Sequence, residues 1–144
     1  MSILLKERGI RYTQRKTRFI FPFLTDRADN NTNLQFVVVI NPNSGPGNGS
    51  SSPDFERELP KLNSRPNIKT IGYVRTGWAA RNITDVLDEV STYAAWNASL
   101  RVNGIFFDEV PNNYTDTIGE YMNSIDQFVK AQSGFNGVNF VCFV

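Results

Sequence analysis

The sequence predicts an α/β protein of repeated βα units around a parallel sheet. Three observations carry this reading. Apolar, strand-like runs begin near residues 36, 69, 103 and 138, a regular beat. Segments with helical periodicity lie between them. Loops rich in Gly, Asn and Pro follow the runs. Alternation of this kind implies right-handed βαβ units.

The first strand is "QFVVVIN" (35–41), a continuous β-branched run suited to burial on both faces. "PNSGPGNGSSSP" (42–53) is its loop. Ser52 and Pro53 read as N-cap and first position of a helix over "DFERELPKLN", which Pro60 should shorten or kink. "NIKTIGYVR" (67–75) is the second strand and "TGWAAR" (76–81) its loop. A helix is expected from about Thr84, burying Val86, Leu87, Val90, Tyr93 and Ala94. "VNGIFFDE" (102–109) is the third strand. The following helix should span about 115–133, with a stripe of Ile118, Tyr121, Met122, Ile125, Phe128 and Val129 and a Gly134 cap. "GVNFVCFV" (137–144) is the fourth strand. Upstream, "RFIFPFL" (18–24) reads as one more strand, but the eleven residues before "FVVVIN" are too few for a crossover helix, and "TDRADNNTNLQ" (25–35) reads instead as the end of a helix.

Two parallel architectures fit: a doubly wound open sheet, or a (β/α)8 barrel of the TIM type. A whole barrel needs about 250 residues, and this chain has 144. The expectation is an incomplete barrel of about four βα units over 19–144, preceded by a basic non-domain segment, 1–18. That segment carries a net charge of +5 and the remainder −4, so the body offers no basic field for nucleic acid. Ile3-Leu4-Leu5 is too short for a signal-peptide core, and no stretch is long and apolar enough to span a membrane. The chain has no His, which removes Ser-His and Cys-His catalysis, and its one cysteine, Cys142, reads as a buried structural thiol. No metal site and no cofactor are expected. "NPNSGPG" (41–47) lacks the spacing and the GK[ST] ending of a phosphate-binding loop and reads as a structural turn.

In parallel sheets, ligands meet the C-terminal strand ends. The third strand ends there in adjacent acids, Asp108 and Glu109. Neighbouring carboxylates repel as anions, which favours keeping one protonated, the pairing used to cleave glycosidic bonds. The other reading is that one acid caps the loop and the other is solvated. If the pair works on sugars, Asn41, Asn43, Tyr73, Arg75 and Trp78 at the neighbouring strand ends are the expected substrate-binding residues, by stacking and hydrogen bonding. For Tyr73 and Trp78, plain packing is the competing reading. Sequons at Asn30, Asn48, Asn82, Asn97 and Asn113 suit a secreted, glycosylated protein.

"VVVINPNSGPG", "KTIGYVRTGWAAR" and "VNGIFFDEVPNN", in this order and spacing, resemble the spherulin-4-like, or spherulation-specific, cell-surface family. The resemblance covers about residues 33–144 and extends to fungal glycoside hydrolase family 135. It implies a (β/α)8 barrel, usually secreted or at the cell surface, and an endo-acting hydrolase of galactosamine-containing polysaccharide with Asp108 and Glu109 as the acid pair. Trp78 stands where the family commonly has Tyr. The resemblance also implies a further strand before residue 33, a signal peptide, and a third acid from a later strand, none of which this sequence displays. The chain is therefore expected to be a shortened product, without hydrolase activity by itself, whose bare strand edges favour self-association. The alternative function is non-catalytic carbohydrate binding, or a structural cell-surface role, on the same scaffold.

Overall fold

A computed structural model describes residues 3–5, 10–12, 17–47, 53–137 and 139–144. Four strands form a parallel sheet in chain order: β3 (Phe36–Ile40), β4 (Ile68–Arg75), β5 (Gly104–Asp108) and β6 (Phe140–Phe143). Two three-residue strands, β1 (Ile3–Leu5) and β2 (Ile10–Tyr12), extend the sheet on the β3 side. Both added pairings are antiparallel, giving the order β2-β1-β3-β4-β5-β6. Sequence patterning places no strand in residues 1–18, because three residues are too few to show an alternation. The β3 edge, expected to be bare, is thus occupied through Leu5 opposite Val38.

The helices are α1 (Thr17–Asn30), α2 (Pro53–Asn63), α3 (Ile83–Ala94) and α4 (Asp116–Ala131). α1 corrects the strand reading of "RFIFPFL" and bears out a helix end in "TDRADN", at Asn30. Phe21, Leu24 and Ala28 recur at helical spacing and are buried. α2 continues past Pro60 because Leu59 and Leu62 are buried on either side of it, and packing carries a short helix. The N-cap expected at Ser52 lies outside the described residues.

α3 starts one residue earlier than expected, after Asn82, whose side chain accepts from the Thr84 amide at 3.0 Å. Thr115 caps α4 likewise, accepting from Ile118 N–H at 3.2 Å. The α4 stripe is less buried than its pattern suggests: only Ile125 and Val129 are fully covered. Gly134 is not the cap of α4, since the helix ends at Gln132 in extended backbone. Its role is close approach, for a Cβ there would collide with the Ala94 carbonyl oxygen.

The sheet has two unlike faces. Phe36, Val38, Ile40, Ile68, Val74, Ile105 and Phe107 join the buried residues of all four helices in one core. The alternate residues Val39, Ile71 and Phe106 form a separate small cluster with Val37 and Tyr73, to which no helix contributes. Among the described residues the helices lie on one face, unlike a doubly wound sheet, which carries them on both.

Candidate functional site

The site grows from the end of β5. Asp108 is the last strand residue and shares the helix-free face with Phe106 and Tyr73. The Tyr73 hydroxyl donates to Asp108 Oδ2 at 2.8 Å, and the Tyr73 ring lies nearly parallel to Phe106 at 6.2 Å. Asp108 Oδ1 accepts the Glu109 backbone N–H, also at 2.8 Å. Both oxygens of Asp108 are therefore held as acceptors. Burial, reinforced by the bond to Asp108, pushes the Tyr73 phenol far above its ordinary value, so Tyr73 stays a neutral donor.

Glu109 departs from the strand. Its φ is +58°, in the left-handed region that non-glycine residues rarely enter. That turn frees it from the alternation which would otherwise send neighbouring side chains to opposite faces. Its carboxylate has no hydrogen bond or ion pair among the described residues. The β4–α3 loop grips this turn from the side. The Thr76 amide donates to the Asp108 carbonyl at 2.9 Å, and Thr76 Oγ1 donates to the Glu109 carbonyl at 2.6 Å. The Trp78 amide reaches the same Glu109 carbonyl at 2.6 Å. Trp78 and Ala79 are themselves left-handed, at φ +55° and +62°. The Trp78 ring is 67% exposed.

Behind this loop Arg81 forms a 2.7 Å ion pair with Glu89 and donates to the Arg75 carbonyl at 2.7 Å. Gly45 packs against the Glu89 carboxylate, which a Cβ there would approach to 3.2 Å and displace slightly. Tyr93 ties the neighbouring strands together. Its hydroxyl donates to the Ile40 carbonyl at 2.8 Å and accepts the Tyr73 amide at 3.2 Å, and its ring lies over Gly72, where a Cβ would clash.

The sequence-predicted residues fare unevenly. Asp108, Glu109, Tyr73 and Trp78 are joined by direct contacts. Arg75 stands opposite Asp108 in the β4–β5 register, exposed, with no hydrogen bond or ion pair from its side chain among the described residues. Asn41 is only 7% exposed, and its Oδ1 accepts the Gly45 amide at 3.0 Å, so that oxygen shapes the turn. Asn43 is exposed in the same turn. Asn30, Asn82, Asn97 and Asn113 are exposed, while Asn48 lies outside the described residues. The Cys142 side chain is outside them too. Sequence reasoning missed Thr76, whose signal was a β-branched hydroxyl directly after a strand. It also missed Tyr114, 78% exposed beside the acid loop. Among the described residues no cluster of His, Cys, Asp and Glu could hold a metal, and no helix is long and apolar enough to cross a membrane.

A parallel sheet bearing an acid pair and an exposed aromatic at its C-terminal strand ends defines a class of α/β protein with its candidate site at the mouth of the sheet. Within that class, the profile of spherulation-specific family 4 matches residues 22–143, and the chain belongs to this family. It is 30% identical over 104 residues to Spherulin-4 of Physarum polycephalum, which covers 72% of this chain and 30% of that protein. Among solved structures it is similar to Aspergillus clavatus Sph3 in complex with GalNAc. That likeness has a TM-score of 0.84 at 39% identity, over 88% of this chain and 52% of the other. The chain thus spans about half of the Sph3 structure and under a third of Spherulin-4.

Proposed function

We propose that the chain carries the acid-pair half of a glycoside hydrolase site for galactosamine-containing polysaccharide, on part of a (β/α)8 barrel, in a protein that is secreted or at the cell surface. One observation carries this most: Asp108 is fixed by Tyr73 while the adjacent Glu109 is turned out of the strand, its carboxylate bonded to none of the described residues. Two neighbouring acids in unlike surroundings are what a division between general acid and base or nucleophile requires. The likeness to a structure bound to GalNAc supports an amino-sugar ligand, and helices on one face only suit the wall of a barrel. Trp78 offers a stacking face, and Arg75 and Asn43 offer groups for hydroxyls. Asn30, Asn82, Asn97 and Asn113 are exposed enough to carry glycans.

The test is release of oligosaccharide from a galactosamine-rich polymer by the full-length protein. Asp108→Asn and Glu109→Gln should each lower kcat by about 100-fold or more, the scale of general acid–base catalysis. Product release by both variants at the native rate would overturn the assignment. A second reading, binding without cleavage, is favoured by the exposed Trp78 and Tyr114 rings, which need no acid to hold a sugar. It predicts polymer binding that Trp78→Ala weakens and the acid variants leave intact, with no product formed.

A further inference from the structure

We infer that Thr76 is the positioning residue of the acid pair: its buried hydroxyl holds Glu109 in the left-handed turn that brings the second carboxylate out of the strand. Three facts combine. Thr76 is 0% exposed, so its hydroxyl has no water to bond and its partner is the Glu109 carbonyl at 2.6 Å. The Asp108 carbonyl is 3.4 Å from the same oxygen, a much poorer acceptor for the single O–H proton. Glu109 sits at φ +58°, a conformation that persists only where its surroundings fix it.

The other donor to the Glu109 carbonyl is the amide of Trp78, itself left-handed. The clamp therefore couples two unfavourable backbone conformations through one carbonyl oxygen. Thr76 is the side chain in that coupling, so its hydroxyl is where a substitution can release the turn without touching either acid. Freed of it, Glu109 can relax toward extended backbone and swing its carboxylate toward the helix-covered face.

This rests on the hydrolase reading only for its kinetic arm. Thr76→Val removes the hydroxyl and keeps the shape. Thr76→Ala and Thr76→Ser both lose the methyl, and only Ala loses the hydroxyl, so that pair gives the same comparison where the Val variant does not fold. In labelled protein, the one-bond Cα–Hα coupling of Glu109 reports positive φ directly. Expected is loss of the left-handed coupling in Thr76→Val and Thr76→Ala, and retention in Thr76→Ser. Alongside, at a temperature well below the melting point of each variant, kcat should fall about 10- to 100-fold in the first two with KM little changed, as for misplaced catalytic groups. The Ser variant should keep most of the activity. A left-handed Glu109 without the hydroxyl overturns the inference. So does an unchanged kcat once the turn is lost, or a fall in kcat that merely tracks stability. If the native protein releases no product, the hydrolase reading fails by itself and the coupling still decides the role of Thr76.

Discussion

At the residue scale, the site depends on groups whose bonds leave them one role. Tyr93 is 0% exposed and its hydroxyl serves two backbone groups of different strands, the Ile40 carbonyl and the Tyr73 amide. Tyr93→Phe strands both in a place water cannot reach, so a loss of about 1–3 kcal/mol is expected in urea unfolding. Tyr73 and Tyr93 also set an alkaline limit. Burial raises both phenols, with the bond to Asp108 adding to the rise at Tyr73. In the unfolded chain each ionises near pH 10. The folded state then holds protons that the unfolded state has lost, so stability is full below that pH and falls as pH rises above it. Tyr73→Phe should flatten this fall measurably, and an unchanged alkaline slope would show that Tyr73 ionises freely.

At the scale of elements, α2 illustrates how a polar residue can sit in a buried stripe. Glu58 falls at the helical position of Phe55, Leu59 and Leu62, and its side chain is only 9% exposed. Arg57 at 2.6 Å and Lys61 at 3.0 Å close over it. Burial pushes the carboxyl up, but the two hydrogen bonds outweigh burial and hold it below its ordinary value of 4.5. A lowered folded pKa means stability that is present above pH 4.5 and lost as pH falls through the folded value. Glu58→Gln should cost about 1 kcal/mol at neutral pH, since both partners are half in water, and remove that share of the acid dependence. Equal stability losses at pH 7 and pH 3 would show that the charge of Glu58 contributes nothing. α2 is legible in the sequence because Phe55, Leu59 and Leu62 mark the period. Glu58 as a covered member of the stripe is not, because the period says nothing of which partners close over a charge.

At the scale of the whole molecule, the arrangement is one-sided. Among the described residues, α1 to α4 all cover one face, and the other carries Val39, Ile71 and Phe106 with no helix upon them. β6 stands at one end of the strand order, and β1 and β2 cover the other side of β3. Phe143 and Val144, at the β6 end, are exposed. An apolar strand edge with unpaired backbone groups is a template for another chain. The 144-residue chain by itself is therefore expected to elute larger than a monomer in size-exclusion chromatography with light scattering. Val144→Lys should shift it toward monomer by charging that edge. A monodisperse monomer with one sharp cooperative melt would show that these units close a core of their own.

Four parallel strands, the three helices between them, an acid pair at a strand end and the family can all be read from the order of the residues. Those features are local: a β-branched run, a 3.6-residue period, a cap residue and a motif are all contained within one segment. The remaining features come from contacts between distant segments. The three-residue strands β1 and β2 exist only through their pairings. "RFIFPFL" carries apolar residues that suit a strand or a helix, and the packing of Phe21 against Phe55 belongs to the helix. Gly134 has the look of a cap because it follows a helix, whereas its constraint comes from Ala94, forty residues away. Most telling is the acid pair. Alternation by itself gives opposite faces for Asp108 and Glu109, and Glu109 leaves that alternation through a left-handed turn whose carbonyl is held by Thr76 and Trp78 on another strand's loop. No pattern within "FFDEVP" records that contact, because the hydrogen bonds that make it join segments more than thirty residues apart.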